Sequence, residues 1–133
     1  MREYTPVSRQ YKIEKNRYHE LKSFCRQYRL WKTEVSNCYG LSGVRYNGVP
    51  SKGVSDPTSK AAERAMLLQD KIDLVERTCK EADPILWRHI LINVTEGVSY
   101  DMFEVRGARP LASKTVFYEA RAKFFWLLDK NKG

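Results

Sequence analysis

The chain has 133 residues, with 24 Lys/Arg against 16 Asp/Glu for a net charge of +8, and it is 42% hydrophobic and 12% aromatic. That length and apolar content suit one compact domain, or a small domain with a helical extension, and exclude an intrinsically disordered chain. Three scattered cysteines without a Cys-x-x-Cys pair argue against a disulfide framework. No apolar run approaches the roughly 20 residues of a membrane-spanning helix, and the N-terminus lacks a hydrophobic targeting core, so a cytoplasmic protein is expected.

The distribution of charge is more informative than its sum. Residues 1–54 carry 11 Lys/Arg against 4 Asp/Glu (+7), residues 55–83 carry 5 against 7 (−2), and residues 84–133 carry 8 against 5 (+3). Two basic segments flanking an acidic one suit a polyanion partner, bound through phosphate neutralisation and counterion release.

After a short polar lead containing Pro6, residues from about Ser8 to Tyr39 are predicted to form one long helix. Tyr11, Tyr18, Leu21, Cys25, Tyr28 and Val35 follow a three-four spacing, widened by Phe24 and Trp31. Lys12, Lys15, Arg17, Lys22, Arg26 and Arg29 make the other side cationic, and Lys32 interrupts the stripe near a break expected at Trp31. Gly40 to Ser55 holds Gly40, Gly43, Gly48, Pro50 and Gly53 and is predicted as a surface linker, with a short hairpin at Arg45-Tyr46-Asn47-Gly48 as the alternative.

Ser55-Asp56-Pro57 is a helix start, a capping carboxylate followed by Pro at the first helical position. The helix is predicted to run to about Ala82. Ala61, Ala65, Leu68, Ile72, Val75 and Cys79 alternate at three-four spacing, a narrow seam suited to another long helix within the chain or across a dimer. Asp83-Pro84 repeats the start signal for a third helix to about Val94, buried through Leu86, Trp87, Ile90, Leu91 and Val94. His89 is expected to be a satisfied boundary residue, not a ligand.

No nucleotide-binding glycine loop is present, and the histidines and cysteines have no zinc spacing. The acids Asp70, Asp73 and Glu76 interleave with Lys71, Arg77 and Lys80 as a solvated face does. No cofactor, no metal and no enzymatic activity are expected.

The last forty residues carry the functional expectation. Val98 to Val105 opens with the cap Ser99 and makes a short helix; Arg106 to Ala112 is a connection rich in breakers; Ser113 caps a final helix to about Asp129. A short helix, a tight connection and a second helix with polar residues at its start is the geometry that enters a major groove. On the final helix Val116, Ala120, Phe124 and Leu127, with Phe117 at the edge, are expected to face inward. Lys114, Thr115, Tyr118, Arg121 and Ala122 are expected on the other side, where Lys, Arg, Thr and Tyr contact phosphates or base edges. The candidate DNA-binding residues are therefore Arg106, Arg109, Ser113, Lys114, Thr115, Tyr118 and Arg121. Phe124 to Leu128 is apolar all round and needs cover on every side.

The run Ser55-Asp56-Pro57-Thr58 before an Ala-rich helix, and the ending "SKTVFYEARAKFF", resemble phage-encoded regulators of the RinA/ArpU type over roughly residues 18–128. Gly97-Val98-Ser99-Tyr100 with the later Thr115-Val116 is similar to the pattern of sigma-factor DNA-binding domains, although the connection here is longer and contains Pro110. The resemblance implies small helical proteins of Gram-positive phages acting in late-gene transcription.

Together these readings predict an all-α protein, with long N-terminal helices packed with a sigma-factor-like C-terminal helix-turn-helix bundle. Residues 1–54 form the basic helix and linker; residues 55–133 form the helical domain, with the helix-turn-helix at about 98–129. The expected function is sequence-specific DNA binding by a phage transcriptional regulator in the bacterial cytoplasm. Expected partners are double-stranded DNA, RNA polymerase and a second copy of the chain. The alternatives are a phage DNA-packaging recognition subunit resembling a small terminase, and a helical protein adaptor without DNA binding.

Overall fold

A computed structural model describes residues 8–38 and 55–132 of the chain, with side chains from residue 60 onward in the second stretch. The expected linker at residues 40–54, its alternative hairpin and the polar lead around Pro6 lie outside the described residues, as do the side chains of the Ser55-Asp56-Pro57 start.

The regular elements among the described residues are all helices, with no strand, as the periodicities predict. The order is α1 (Lys15–Cys25), α2 (Tyr28–Cys38), α3 (Ser55–Ala82), α4 (Trp87–Glu96), α5 (Tyr100–Val105) and α6 (Lys114–Lys132). No helix among them is long and apolar enough to cross a membrane.

The single N-terminal helix predicted from Ser8 is two helices with a non-helical lead. Ser8 Oγ accepts the amides of Gln10 and Tyr11, which folds the lead into a turn, and Glu14 caps α1 by accepting the amide of Arg17 at 3.0 Å. The break falls at Arg26-Gln27, ahead of the expected position at Trp31. Gln27 N–H bonds the Phe24 carbonyl three residues back, which closes the helix without Gly or Pro. At that point the chain passes from one compact unit, residues up to Gln27 and from Leu74 on, into the other, Tyr28–Asp73.

Within the Tyr28–Asp73 unit, α2 buries Tyr28 and Trp31, and α3 buries Ala65, Leu68 and Ile72 of the predicted seam. Arg64 pairs with Glu34 at 3.0 Å, and the Lys71 ammonium lies over the Trp31 ring, so α2 is the neighbour of this part of α3.

The other unit holds the larger core. Here α6 packs against α1 and α4, and α1 against α4. Tyr18, Leu21 and Cys25 of α1, Val75 and Cys79 of α3, Ile90 and Val94 of α4, and Phe117, Phe124, Phe125 and Leu128 of α6 are almost wholly inaccessible. Burial pushes the Cys25 thiol up to about 12, so it stays neutral and serves as core filler, as its apolar helical position predicts. Asp83 accepts the amides of Ile85 and Leu86, at 2.8 and 2.9 Å, holding the Pro84–Leu86 turn that precedes α4. The regular helix thus begins at Trp87, three residues later than expected at Pro84.

Gly97 ends α4 with φ +78° and donates to the Asn93 carbonyl. A β-carbon there would also stand 2.8 Å from Arg26 Nη2, although that guanidinium is the movable end of a long side chain. Gly97→Ala is expected to destabilise the protein by about 1–2 kcal/mol through the left-handed backbone alone. Denaturant titration checks this; an unchanged midpoint would mean that the α4–α5 connection relaxes freely.

Candidate nucleic-acid interface

The two helices expected to form the DNA-reading element are held in a defined arrangement by contacts at both ends of α5. Ser99 Oγ accepts the Met102 amide, and the Tyr118 hydroxyl of α6 accepts the Tyr100 amide at 3.2 Å. At the far end the Gly107 amide bonds the Glu104 carbonyl and the Ala108 amide bonds the Phe103 carbonyl at 2.8 Å, with Gly107 at φ +75°. These two bonds are a Schellman closure, which satisfies the last carbonyls of a short helix.

The connection, residues 106–113, is pinned from three sides. Pro110 is buried, the Tyr100 hydroxyl donates to the Ala112 carbonyl at 2.7 Å, and His89 Nε2–H donates to the Ala108 carbonyl at 2.9 Å. The His89 ring also meets Phe103 edge-on, at 4.8 Å between centroids. His89 is therefore the satisfied boundary residue expected from its place on α4. Phe117, fully buried, packs against Tyr100, Phe103 and Tyr118 and joins α5 to α6.

The candidate residues separate into distinct roles. Ser113 caps α6 by accepting the Val116 amide at 3.2 Å, as expected. Arg106, Arg109, Lys114 and Thr115 are exposed. Lys114 bonds Asp101 at 3.1 Å, which holds its ammonium above the ordinary range. Arg109 hydrogen-bonds the Tyr100 hydroxyl, the main cause of its own upward shift, and reaches Glu104 at 3.4 Å. Tyr118 is half-buried, with its hydroxyl at the start of α5.

Arg121 departs from the expectation. Its Nε donates to Asn93 Oδ1, its Nη2 to the Tyr18 hydroxyl at 3.0 Å, and its guanidinium lies 5.0 Å from the Phe125 ring centroid. Asn93 is itself 7% exposed and passes the network on by donating to the Val98 carbonyl. Arg121 thus ties α6 to α1, α4 and the α4–α5 connection, and it is not an outward-facing reader. The cause is register: α6 buries Phe117, Ala120, Ala122, Phe124, Phe125 and Leu128, with Arg121 half-buried among them, so Ala120 and Phe124 of the predicted stripe lie inside while its ends, Val116 and Leu127, do not. Ala122, expected outside, is fully buried, and Val116, expected inside, is half exposed.

The outward side of α6 is consequently Thr115, Val116, Glu119 and Lys123. Tyr11, Ala82 and Asp83 border it, around a groove of about 410 Å³. The N-terminal lead crosses its lower part: Ser8 donates to Glu119 at 3.0 Å, the Lys123 ammonium lies over the Tyr11 ring, and Tyr11 meets Trp126 edge-on. Sequence reasoning missed Val116, Glu119 and Lys123; their shared spacing with Thr115 was the available signal.

Part of the cationic side of the N-terminal helix is engaged within the same unit. Arg17 pairs with Asp129 and Glu20, and the Lys22 ammonium lies over the Tyr18 ring. Among the described residues no group of three or more His, Cys, Asp or Glu side chains is arranged to hold a metal ion. Comparison of the chain with models of protein families, with curated proteins and with solved structures gives no match.

Proposed function

We propose that this chain is a non-enzymatic, sequence-specific DNA-binding protein, a phage transcriptional regulator in which α5, the connection and α6 act as a helix-turn-helix. The observation that carries the reading is the exposed first turn of α6. Ser113, Lys114, Thr115 and Val116 stand outward on a base held by Phe117, Tyr100 and His89, with Arg106 and Arg109 beside them. Such a turn has the length and chemistry to meet a major groove, with Thr115 and Val116 for base edges and thymine methyls and the cations for phosphates. The basic balance of the chain and the resemblance of roughly residues 18–128 to phage regulators of the RinA/ArpU type support the same reading. Double-stranded DNA is the partner, with RNA polymerase and a second copy of the chain as further partners in the bacterial cytoplasm.

Selection of bound duplexes from a random pool tests the proposal. Lys114→Ala is expected to weaken all duplexes about equally, as loss of a phosphate contact does. Thr115→Ala combined with Val116→Ala is expected to relax the selected sequence at one or two positions. Absence of any salt-dependent retention on DNA would sink the reading. It would favour a helical protein adaptor, for which the exposed Val105 and Leu111, 78% and 83% accessible at either end of the connection, are the specific observation.

A further inference from the structure

Two carboxylates on α5 engage the cations that the proposed interface would turn to phosphate. Asp101 holds Lys114 and Glu104 holds Arg109, and all four side chains are between 45% and 67% exposed. The fold has little need of either pair. The start of α5 is capped by Ser99 and Tyr118, its end is closed at Gly107, and its inner side is anchored by Tyr100 and Phe103. Exposed ion pairs contribute little to stability in any case.

Their consequence falls on association with a polyanion. A phosphate reaching Lys114 must displace Asp101, and the freed carboxylate then takes up a cation from solution. That uptake opposes the counterion release which drives binding to DNA. Resting on the proposed function, we infer that Asp101 and Glu104 are built-in competitors for phosphate, which lower the affinity of the interface and flatten its salt dependence.

The test is a binding cycle with full-length protein and a mixed-sequence duplex at low salt, with thermal melts to verify folding. Asp101→Asn is expected to tighten binding about two- to fivefold in the presence of Lys114, and to change it little in the Lys114→Ala background. Glu104→Gln should do the same with Arg109 and Arg109→Ala. The double variant Asp101→Asn/Glu104→Gln should steepen the log–log salt slope by about one to two. Equal gains in both backgrounds would overturn the inference, because the carboxylates would then act by plain repulsion. Weaker binding by Asp101→Asn would overturn it in the other direction, making the acid a support for a productive Lys114. If neither the unaltered protein nor the double variant binds, the DNA reading itself falls and takes the inference with it; binding by the unaltered protein with a null cycle removes the inference alone.

Discussion

Arg121→Ala is expected to lower stability by about 2–4 kcal/mol, the cost of stranding buried polar groups and removing a stacked guanidinium. Asn93 Oδ1 would lose its donor in a site 7% exposed, and the Tyr18 hydroxyl would lose its own. The stack on Phe125 would go as well. Water entering the vacated space would recover some of this, which sets the lower bound. Lys114→Ala, by contrast, removes only an exposed pair and should leave the melting temperature nearly unchanged. A binding defect in Arg121→Ala therefore has to be read beside its melting curve. Arg121→Lys should recover little, since one ammonium cannot reproduce the fork that spans Asn93 and Tyr18 while lying over Phe125. A melting curve of Arg121→Ala superimposable on that of the unaltered protein would refute the structural role.

Phe117→Ala is expected to cost about 3–5 kcal/mol, as truncation of a fully buried aromatic does. The ring sits between Tyr100, Phe103 and Tyr118, with centroids 5.7, 6.2 and 5.0 Å away. Its removal takes out the apolar contact that joins α5 to α6. The expected pattern is selective. Amide exchange should speed up first in α5 and residues 106–113, while α1 and α4, anchored by Tyr18, Ile90 and Phe125, should respond less at mild temperature. DNA binding should fall with α5, through loss of the arrangement that presents Thr115. Uniform acceleration of exchange across the whole unit would show instead that α5 is not a separable element.

Much of the helical layout was readable from local chemistry. The seam predicted from Ala61 to Cys79 is buried at Ala65, Leu68, Ile72, Val75 and Cys79, with Ala61 half-buried. Ser99 and Ser113 cap the helices they precede, and Gly97 terminates α4 in the left-handed conformation that only glycine adopts cheaply. These features depend on a residue and its neighbours within one turn, so they need no knowledge of the rest of the molecule. Other features were not local. Nothing in Phe24-Cys25-Arg26-Gln27-Tyr28 breaks a helix, and the break there coincides with the change of compact unit.

The facing of α6 shows the limit most clearly. From Val116 to Leu128 the helix has apolar residues on every side, so periodicity alone allows two stripes one residue apart. One of them carries an arginine at its centre, which a pattern of apolar residues rejects. The helical class, the place where most helices start and stop, and the basic character of the first and last segments all follow from local residue patterns. The inward side of α6 is set by contacts from elsewhere in the chain, because Tyr18 of α1 and Asn93 of α4 supply the acceptors that hold Arg121 there. A half-buried guanidinium is held against a core only where partners distant in the chain converge on it, and that convergence has no signature in a single stretch of sequence.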